Sequence, residues 1–251
     1  MKTVNFIIVF LSSIILAAQN VPLDTNQVDS QKRKQGIWKE YEAGENWIGK
    51  YENNKREGTW LTYYNTGMIS QLATYKNGQK NGVSITTDRN GFIVVEAHYS
   101  NDTLDGAYKL FASGGKLKSE TNYKKGVVHG TKLVAYEDGK IQEKGTFKNG
   151  IRHGKTQWYF QEGMLSMEYT YKEGNLEGPT KTYFKSNGNI QSEGSYKNNE
   201  LEGMFYEYYE SGRLQTSGKY IKGKKEGAWN EFDEQGNIIR SSTYKNDEKI
   251  K

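Results

Sequence analysis

The chain has 251 residues, a formal net charge of +5 and a mean hydropathy of -0.90, and 34% of its residues are hydrophobic. Its apolar surface comes mainly from 19 Tyr, 9 Phe and 5 Trp, which argues against a single deep aliphatic core. The absence of cysteine excludes disulfides and thiolate metal sites, and the even spread of cations argues against nucleic-acid binding. With 28 Gly and 2 Pro, the composition favours many short strands joined by glycine turns.

Residues 1–18 have the features of a secretory signal peptide. Lys2 is followed by an uncharged stretch from Thr3 to Ala18, and cleavage is expected before Gln19. A membrane anchor is the alternative, but roughly 20 apolar residues are needed to span a bilayer and this stretch is shorter. The segment predicts a protein that is secreted, periplasmic or in the cell envelope. Residues 19–35 lack aromatics and periodicity and are expected to be a flexible leader.

From residue 36 onward a unit of about 24 residues recurs nine times, and three markers define it. A glycine opens each unit, and in all but the shortened first unit a turn glycine follows that has an aliphatic residue two positions later. An aromatic residue stands eight positions after the turn glycine, and Gly, Asn or Asp follows it three positions later. The opening glycines are Gly36, Gly58, Gly82, Gly106, Gly130, Gly154, Gly178, Gly203 and Gly227.

These markers predict a β-hairpin in every unit. Gly, Asn and Asp tolerate positive φ, and the Asn-Gly pairs at 77–78 and 149–150 are strong hairpin signals. Glycines at this spacing, with Tyr, Thr and Ile between them, argue against helices. The predicted fold is all-β: residues 36–251 form an elongated single-layer antiparallel sheet of tandem hairpins, each contacting its neighbours.

Side chains alternate between the two faces of a strand, so the repeat also predicts how the units pack. The position six residues after each turn glycine is small in most units, for example Gly145, Gly194 and Gly218, with Tyr169 as the exception. We expect these small residues to make room for aromatic rings of the adjoining unit. The residue five positions beyond the opening glycine is aromatic in seven of the nine units, which indicates packing.

The segments "GTWLTYYNTGMISQLATYKNGQKNG" at 58–82 and "GAWNEFDEQGNIIRSSTYKND" at 227–247 resemble the MORN-type repeat in its bacterial variant. The resemblance extends over residues 36–251. Bacterial proteins with this pattern are commonly named YwqK-like antitoxin components, and MORN arrays are described as β-hairpin sheets that contact proteins or phospholipids. The resemblance therefore implies binding roles, although an antitoxin that acts inside the producing cell would not need the predicted export signal.

No group of residues has the pattern of a catalytic, cofactor or metal site, and we expect a protein that is not an enzyme and needs no cofactor. His129 and His153 occupy the same position in two units. Equivalent positions two strands apart lie roughly 10 Å from each other, too far for one metal ion. They are interpreted as turn residues, and the Glu177, Glu202 and Glu226 row as a solvated one.

The strongest candidate for function is the less regular aromatic face of the first strands. Its rings suit a protein partner in the envelope or outside the cell, a secreted toxin among the candidates. The alternatives are a glycan or phospholipid surface, or rings that only cover a single-layer sheet. The candidate partner-binding residues are Trp60, Tyr64, Tyr108, Trp158, Phe160, Phe205 and Tyr209.

Overall fold

The computed structural model describes residues 24–251, so the predicted signal peptide lies outside the described residues. This part of the chain is all-β, and its strands pair antiparallel as tandem hairpins, which confirms the predicted fold class. The strands are β1 (Gln27–Val28), β2 (Lys34–Glu42), β3 (Glu45–Glu52), β4 (Lys55–Tyr63), β5 (Ile69–Lys76), β6 (Gln79–Thr87), β7 (Ile93–Ser100), β8 (Thr103–Phe111), β9 (Leu117–Lys124), β10 (Val127–Ala135), β11 (Ile141–Lys148), β12 (Ile151–Tyr159), β13 (Leu165–Lys172), β14 (Asn175–Tyr183), β15 (Ile190–Lys197), β16 (Glu200–Leu201), β17 (Gly203–Tyr208), β18 (Leu214–Ile221), β19 (Lys224–Phe232), β20 (Ile238–Lys245) and β21 (Glu248–Lys249).

The described residues form two compact units. The N-terminal unit comprises residues 24–93 and 98–103, and its strands β1 to β6 pair in chain order. The C-terminal unit comprises residues 94–97 and 104–251, in which β8 to β15 pair in chain order and β15 pairs with both β16 and β17. Strands β17 to β21 continue the same order.

Part of the segment predicted as a flexible leader is paired with the repeat array. Strand β1 lies antiparallel to the start of β2, with Val28 opposite Lys34. The side-chain amide of Asn26 extends this pairing, because it accepts from the Lys39 amide at 2.8 Å and donates to the Lys39 carbonyl at 3.0 Å. The leader carries no hydrophobic pattern, so this pairing had no signal in the sequence.

The turns that end each unit have two consecutive residues with positive φ, as a two-residue type I′ hairpin requires. Asn77 and Gly78 have φ of 54° and 88°, and Asn149 and Gly150 have 53° and 83°. The predicted left-handed position is therefore confirmed. The residue directly before this left-handed position also has positive φ in every unit, even where that residue is a lysine, as at Lys125.

Three glycines in the small position, Gly49, Gly194 and Gly218, receive an aromatic ring as the sequence predicts, whereas Gly145 faces Arg152 and Thr156. A Cβ atom on Gly49 would lie 2.3 Å from Cδ2 of Trp60, and one on Gly218 would lie 2.1 Å from Cδ2 of Trp229. Both rings come from the following unit. The absence of a side chain at these two glycines is thus what lets neighbouring hairpins pack closely.

The exception, Tyr169, is explained by its two cross-strand neighbours. Tyr169 lies opposite Thr156 on one side and Thr180 on the other. Both threonines stand two residues after an opening glycine, where the units discussed above have tryptophan, and both are buried. Large and small side chains have exchanged strands, so the volume between these hairpins is conserved.

Candidate functional site

The predicted partner-binding residues lie on one face of each unit, which we call the aromatic face. It carries the side chains two, four and six positions after an opening glycine, with the second-strand side chains directly opposite them. Trp60 lies opposite Ala73, and Phe205 lies opposite Gly218, so each pair shares a face.

In the N-terminal unit the aromatic face is a continuous row of rings. Trp38, Tyr51, Trp60 and Tyr75 follow one another in edge-to-face contacts, with centroid separations of 5.6, 5.1 and 6.4 Å. Trp60 has no exposed surface, and its indole N–H donates to the Lys50 carbonyl at 3.2 Å. The row is a packed core layer at this point of the sheet.

Arg56 lies over this row and joins it to two carboxylates. Its guanidinium carbon is 4.5 Å from the centroid of Trp60, and its nitrogens donate to Glu40 and Glu42. Partial burial alone would raise the pKa of Glu40, but hydrogen bonds from Arg56, Lys34 and Tyr51 outweigh it and lower that pKa below the ordinary 4.5. The carboxylate of Glu40 is therefore fully occupied by groups of the same chain.

An open hollow of about 620 Å³ lies above Arg56 in the N-terminal unit. Glu40, Arg56 and Tyr75 line it, and Tyr41, with 73% of its surface exposed, stands at its rim. Because the charged groups on its floor already pair with one another, a ligand would have to displace existing ion pairs in order to bind them.

The C-terminal unit repeats the ring contacts in separate groups. Phe205, Tyr220, Trp229 and Tyr244 form one row, with centroid separations of 5.5, 5.0 and 6.4 Å. Tyr169 is central to another, at 5.7 Å from Trp158 and 5.9 Å from Tyr196.

Arg152, which the sequence analysis did not single out, lies over three rings of the C-terminal unit: Phe147, Trp158 and Tyr171. Arg152 lies 5.2 Å from the Phe147 centroid and 5.8 Å from the Trp158 centroid, and it forms an ion pair with Glu143 at 2.6 Å. Arg152 stands two residues before an opening glycine, as Arg56 does. That position holds a cation in five units and an aliphatic residue in four, which is a signal visible in the sequence: Lys34, Arg56, Lys80, Leu104, Val128, Arg152, Leu176, Leu201 and Lys225.

The structure places the predicted partner-binding residues in different environments. Trp60 is fully buried, whereas Tyr64, Tyr108, Trp158, Phe160, Phe205 and Tyr209 are half-buried. Two of these tyrosines connect successive hairpins: the Tyr64 hydroxyl donates to the Thr87 carbonyl at 2.5 Å, and the Tyr209 hydroxyl donates to the Phe232 carbonyl at 2.7 Å. Trp60 is thus a packing residue, and the half-buried rings keep part of their surface free.

A smaller hollow, of about 370 Å³, lies in the C-terminal unit and is lined by side chains of the aromatic face together with Tyr208 of the opposite face. Thr182, Ser192 and Glu207 lie in it, next to Phe184 and Gln215. The Thr182 and Ser192 hydroxyls bond to each other at 2.7 Å. This site was not predicted, because the sequence pattern does not show where neighbouring side chains leave a hollow.

The opposite face of the C-terminal unit carries paired charges and tyrosines. Lys181 forms an ion pair with Glu193 at 3.0 Å, and the Tyr208 hydroxyl donates to Glu193 at 2.7 Å. Burial and this hydrogen bond raise the pKa of Tyr208 to about 12. Hydrogen bonds from Tyr208 and Lys181 lower the pKa of Glu193, so this face is neutralised within the chain.

The repeat architecture has a counterpart among known families. The description "MORN repeat variant" matches six stretches that together exceed half of the chain: 56–77, 104–125, 128–149, 152–173, 176–198 and 225–246. The chain belongs to the MORN repeat variant family. Each of these MORN matches begins two residues before an opening glycine and includes the turn glycine of that unit.

Other comparisons add little to the MORN assignment. No curated protein matches the chain. A mutant of Staphylococcus aureus TarM, in complex with fondaparinux, alpha-GlcNAc-glycerol and UDP, shares 11% identity with a TM-score of 0.24. The match covers 53% of this chain and 21% of that one, and at this TM-score it supports no argument.

Neither a metal site nor a membrane helix is found in the described part of the MORN chain. Within residues 24–251, His, Asp and Glu side chains form no group of three or more suited to a metal ion. The same residues include no helix of the length and hydropathy that a membrane span requires.

Proposed function

We propose that the chain is an exported, non-enzymatic MORN repeat protein that binds another protein through the aromatic face of its C-terminal unit. One observation carries the proposal. Trp158, Phe160, Phe205 and Tyr209 are half-buried on that face, and an open hollow lies beside Phe184, which is on the same face. Aromatic side chains that are fixed by packing but partly accessible are typical anchors of protein interfaces.

The predicted export signal gives the place of binding, since a mature chain beginning at Gln19 would act in the envelope or outside the cell. The resemblance to YwqK-like antitoxin repeats makes a secreted toxin one candidate partner. Such a role would be immunity to a toxin met outside the cytoplasm.

The proposal is tested by capture with a matched pair of variants. Phe160 and Tyr159 are adjacent and half-buried, but their side chains lie on opposite faces of the sheet. Immobilised residues 19–251 should capture one defined protein from an envelope extract. Phe160→Ser should reduce capture at least about fivefold, because interface anchors are worth over 1 kcal/mol, while Tyr159→Ser should leave it unchanged. Circular dichroism checks that both variants are folded.

Two outcomes contradict the proposal. Equal loss in both variants would mean that the aromatic face has no special part in binding. If no protein is captured, and the chain is instead retained by cell-wall sacculi or by phospholipid vesicles in a Phe160-dependent way, the glycan or phospholipid alternative replaces it.

A further inference from the structure

One carboxylate on the aromatic face of the C-terminal unit has no partner in the structure. Glu207 is half-buried and stands four residues after the opening glycine Gly203. Within residues 24–251 its side chain forms neither an ion pair nor a hydrogen bond. Its carboxylate oxygens are not buried, so they are open to solvent and available to a donor from another molecule.

Other carboxylates of this face are satisfied by cations of the same chain. Glu40 forms ion pairs with Lys34, at 3.2 Å, and with Arg56, and Glu143 forms an ion pair with Arg152 at 2.6 Å. In both cases the cation stands two residues before an opening glycine, at the edge of the ring row. The repeat therefore has a regular way of placing a cation between a carboxylate and aromatic rings.

The sequence around Glu207 breaks this arrangement at two places. The residue equivalent to Lys34 is Leu201, which has no charge. The residue equivalent to Arg56 is Lys225, whose Nζ lies 4.2 Å from the Trp229 centroid and forms no ion pair with Glu207. The cross-strand neighbours of Glu207, Ser192 and Thr216, supply no cation either.

The hollow beside Glu207 has the groups that a guanidinium needs. Glu207 provides a carboxylate, Phe184 provides an aromatic ring, and Gln191 and Gln215 provide amide oxygens for the remaining N–H groups. Arg152 shows the same combination completed within the chain, with its guanidinium beside the Phe147 and Trp158 rings and bonded to Glu143. Arginine suits such a site better than lysine, because its planar fork pairs with a carboxylate while its face contacts a ring.

We propose that this hollow is a receptor site for an arginine side chain of a protein partner, with Glu207 as its counter-ion and Phe184 as its aromatic wall. The inference rests on the proposed function and names the chemistry that the partner presents. Binding by an isolated arginine is weak, because one side chain buries little surface; the rest of the partner supplies the remaining contacts.

The test uses a probe that does not require the partner. Nα-acetyl-L-arginine methylamide is titrated into ¹⁵N-labelled residues 19–251, with the neutral citrulline analogue as the control probe. The arginine probe should shift the amide resonances of Phe184, Ser192, Glu207 and Thr216, and citrulline should not. Glu207→Gln should weaken binding about tenfold, because the charge-assisted hydrogen bonds to the guanidinium become bonds to a neutral amide oxygen.

A second variant fills the site from within. Leu201→Lys places an ammonium where Lys34 reaches Glu40, so it should compete with the probe and also weaken binding. Glu231→Gln is the matched control, since Glu231 already pairs with Arg240 at 3.2 Å, and it should bind the probe as the wild type does. Together these variants separate a site at Glu207 from a general effect of negative charge.

The inference is overturned if the arginine and citrulline probes shift the same resonances, or if Glu207→Gln binds the arginine probe with unchanged affinity. Capture of a protein partner through Phe160 would still support the proposed function in that case. If no partner is captured but the arginine probe still binds at Glu207, the proposed function fails and the arginine site stands. The two failures are therefore distinguishable.

Discussion

The N-terminal and C-terminal units carry the same hairpin repeat but differ in what fills their two faces. In the N-terminal unit, strands β3 to β6 place Ile48, Leu61, Leu72 and Ile85 directly opposite one another on the face away from the rings. The equivalent row in β12 to β15 is Gln157, Glu168, Lys181 and Glu193. On this face, substitutions at a few positions per repeat thus replace a row of aliphatic side chains by a row of polar and charged ones.

The aromatic face shows the same contrast. Arg56 and Lys34 satisfy Glu40 in the N-terminal unit, whereas Glu207 in the C-terminal unit has no cation. Trp60 is fully enclosed, whereas Trp158 is only half-buried. The difference is the basis for proposing the C-terminal unit, and not the N-terminal one, as the binding surface.

The largest expected effect comes from removing one tryptophan of the aromatic face from each unit, Trp60 at two residues and Trp158 at four residues after its opening glycine. Trp60→Ala should lower the free energy of unfolding by about 4 kcal/mol, since a fully buried ring leaves a cavity. Trp158→Ala should cost about 2 kcal/mol, because part of its surface is already exposed. Urea denaturation followed by tryptophan fluorescence and circular dichroism measures both. Equal costs would remove the proposed difference between the units.

Adding one methyl group tests what the units share. Gly49→Ala and Gly218→Ala should each destabilise by about 2 kcal/mol, because the new Cβ would overlap a tryptophan ring. Gly145→Ala should cost less, about 1 kcal/mol, since its nearest neighbours are Nη1 of Arg152 and Oγ1 of Thr156, both at 3.1 Å, and no ring overlaps the new Cβ. The same denaturation measurement applies. A harmless Gly218→Ala would show that the small position is not required for packing.

Removing the cations that cover the rings should again affect the N-terminal unit more. Arg56→Ala should cost about 2 kcal/mol, chiefly because the partly buried Glu40 loses its guanidinium partner, while Glu42 is largely exposed. Arg152→Ala should cost about 1 kcal/mol, since that side chain is more exposed. Arg56→Lys keeps the positive charge but loses the planar guanidinium that donates to both carboxylates. Its melting temperature should lie between those of the wild type and Arg56→Ala. Identical melting curves for Arg56→Ala and the wild type would contradict this interpretation.

Acid should weaken the N-terminal unit through Glu40. Because hydrogen bonds from Arg56, Lys34 and Tyr51 outweigh burial and lower its folded pKa below 4.5, its contribution is present above pH 4.5. The contribution is lost as the pH falls through the folded pKa. Glu40→Gln should therefore flatten the dependence of unfolding free energy on pH below 4.5. An unchanged slope in the variant would show that Glu40 does not carry this effect.

The smallest expected effect concerns the opposite face of the C-terminal unit. Glu193→Gln should bring the pKa of Tyr208 down from about 12 towards the ordinary 10, because the hydroxyl loses a charged acceptor. The folded-state pKa is raised, so the stabilisation is present below pH 10 and is lost as the pH rises towards 12. Ultraviolet difference titration against Tyr208→Phe measures the shift. No change in the variant would mean that burial alone is responsible.

Much of this fold could be predicted from the sequence because its turns have strict backbone requirements. Asn-Gly pairs and turn glycines mark positive φ, and the hairpins follow from them. Lys125, Glu173 and Lys222 also adopt positive φ, at 50°, 51° and 49°, and composition gives no hint of this. Their conformation is imposed by the tight turn and not by their own preference.

The site was less predictable than the fold. Alternation indicates which face a ring occupies, but it does not show whether neighbouring rings enclose it, as they enclose Trp60. The cations two residues before the opening glycines were visible as a pattern, and the exchange of Tyr169 with Thr156 and Thr180 was visible too. Glu207 could not be found this way, because its isolation depends on where the Lys225 side chain lies.

A site-specific photo-crosslinker tests the contact role of the aromatic face most directly. Benzoylphenylalanine is placed at Phe184, beside the hollow, or at Tyr183, the preceding residue on the opposite face, and each protein is irradiated in envelope extract. A single defined protein adduct from position 184, absent or at least about fivefold weaker from 183, is the predicted result. Adducts of equal yield from both positions, or none from 184, would contradict binding through this face.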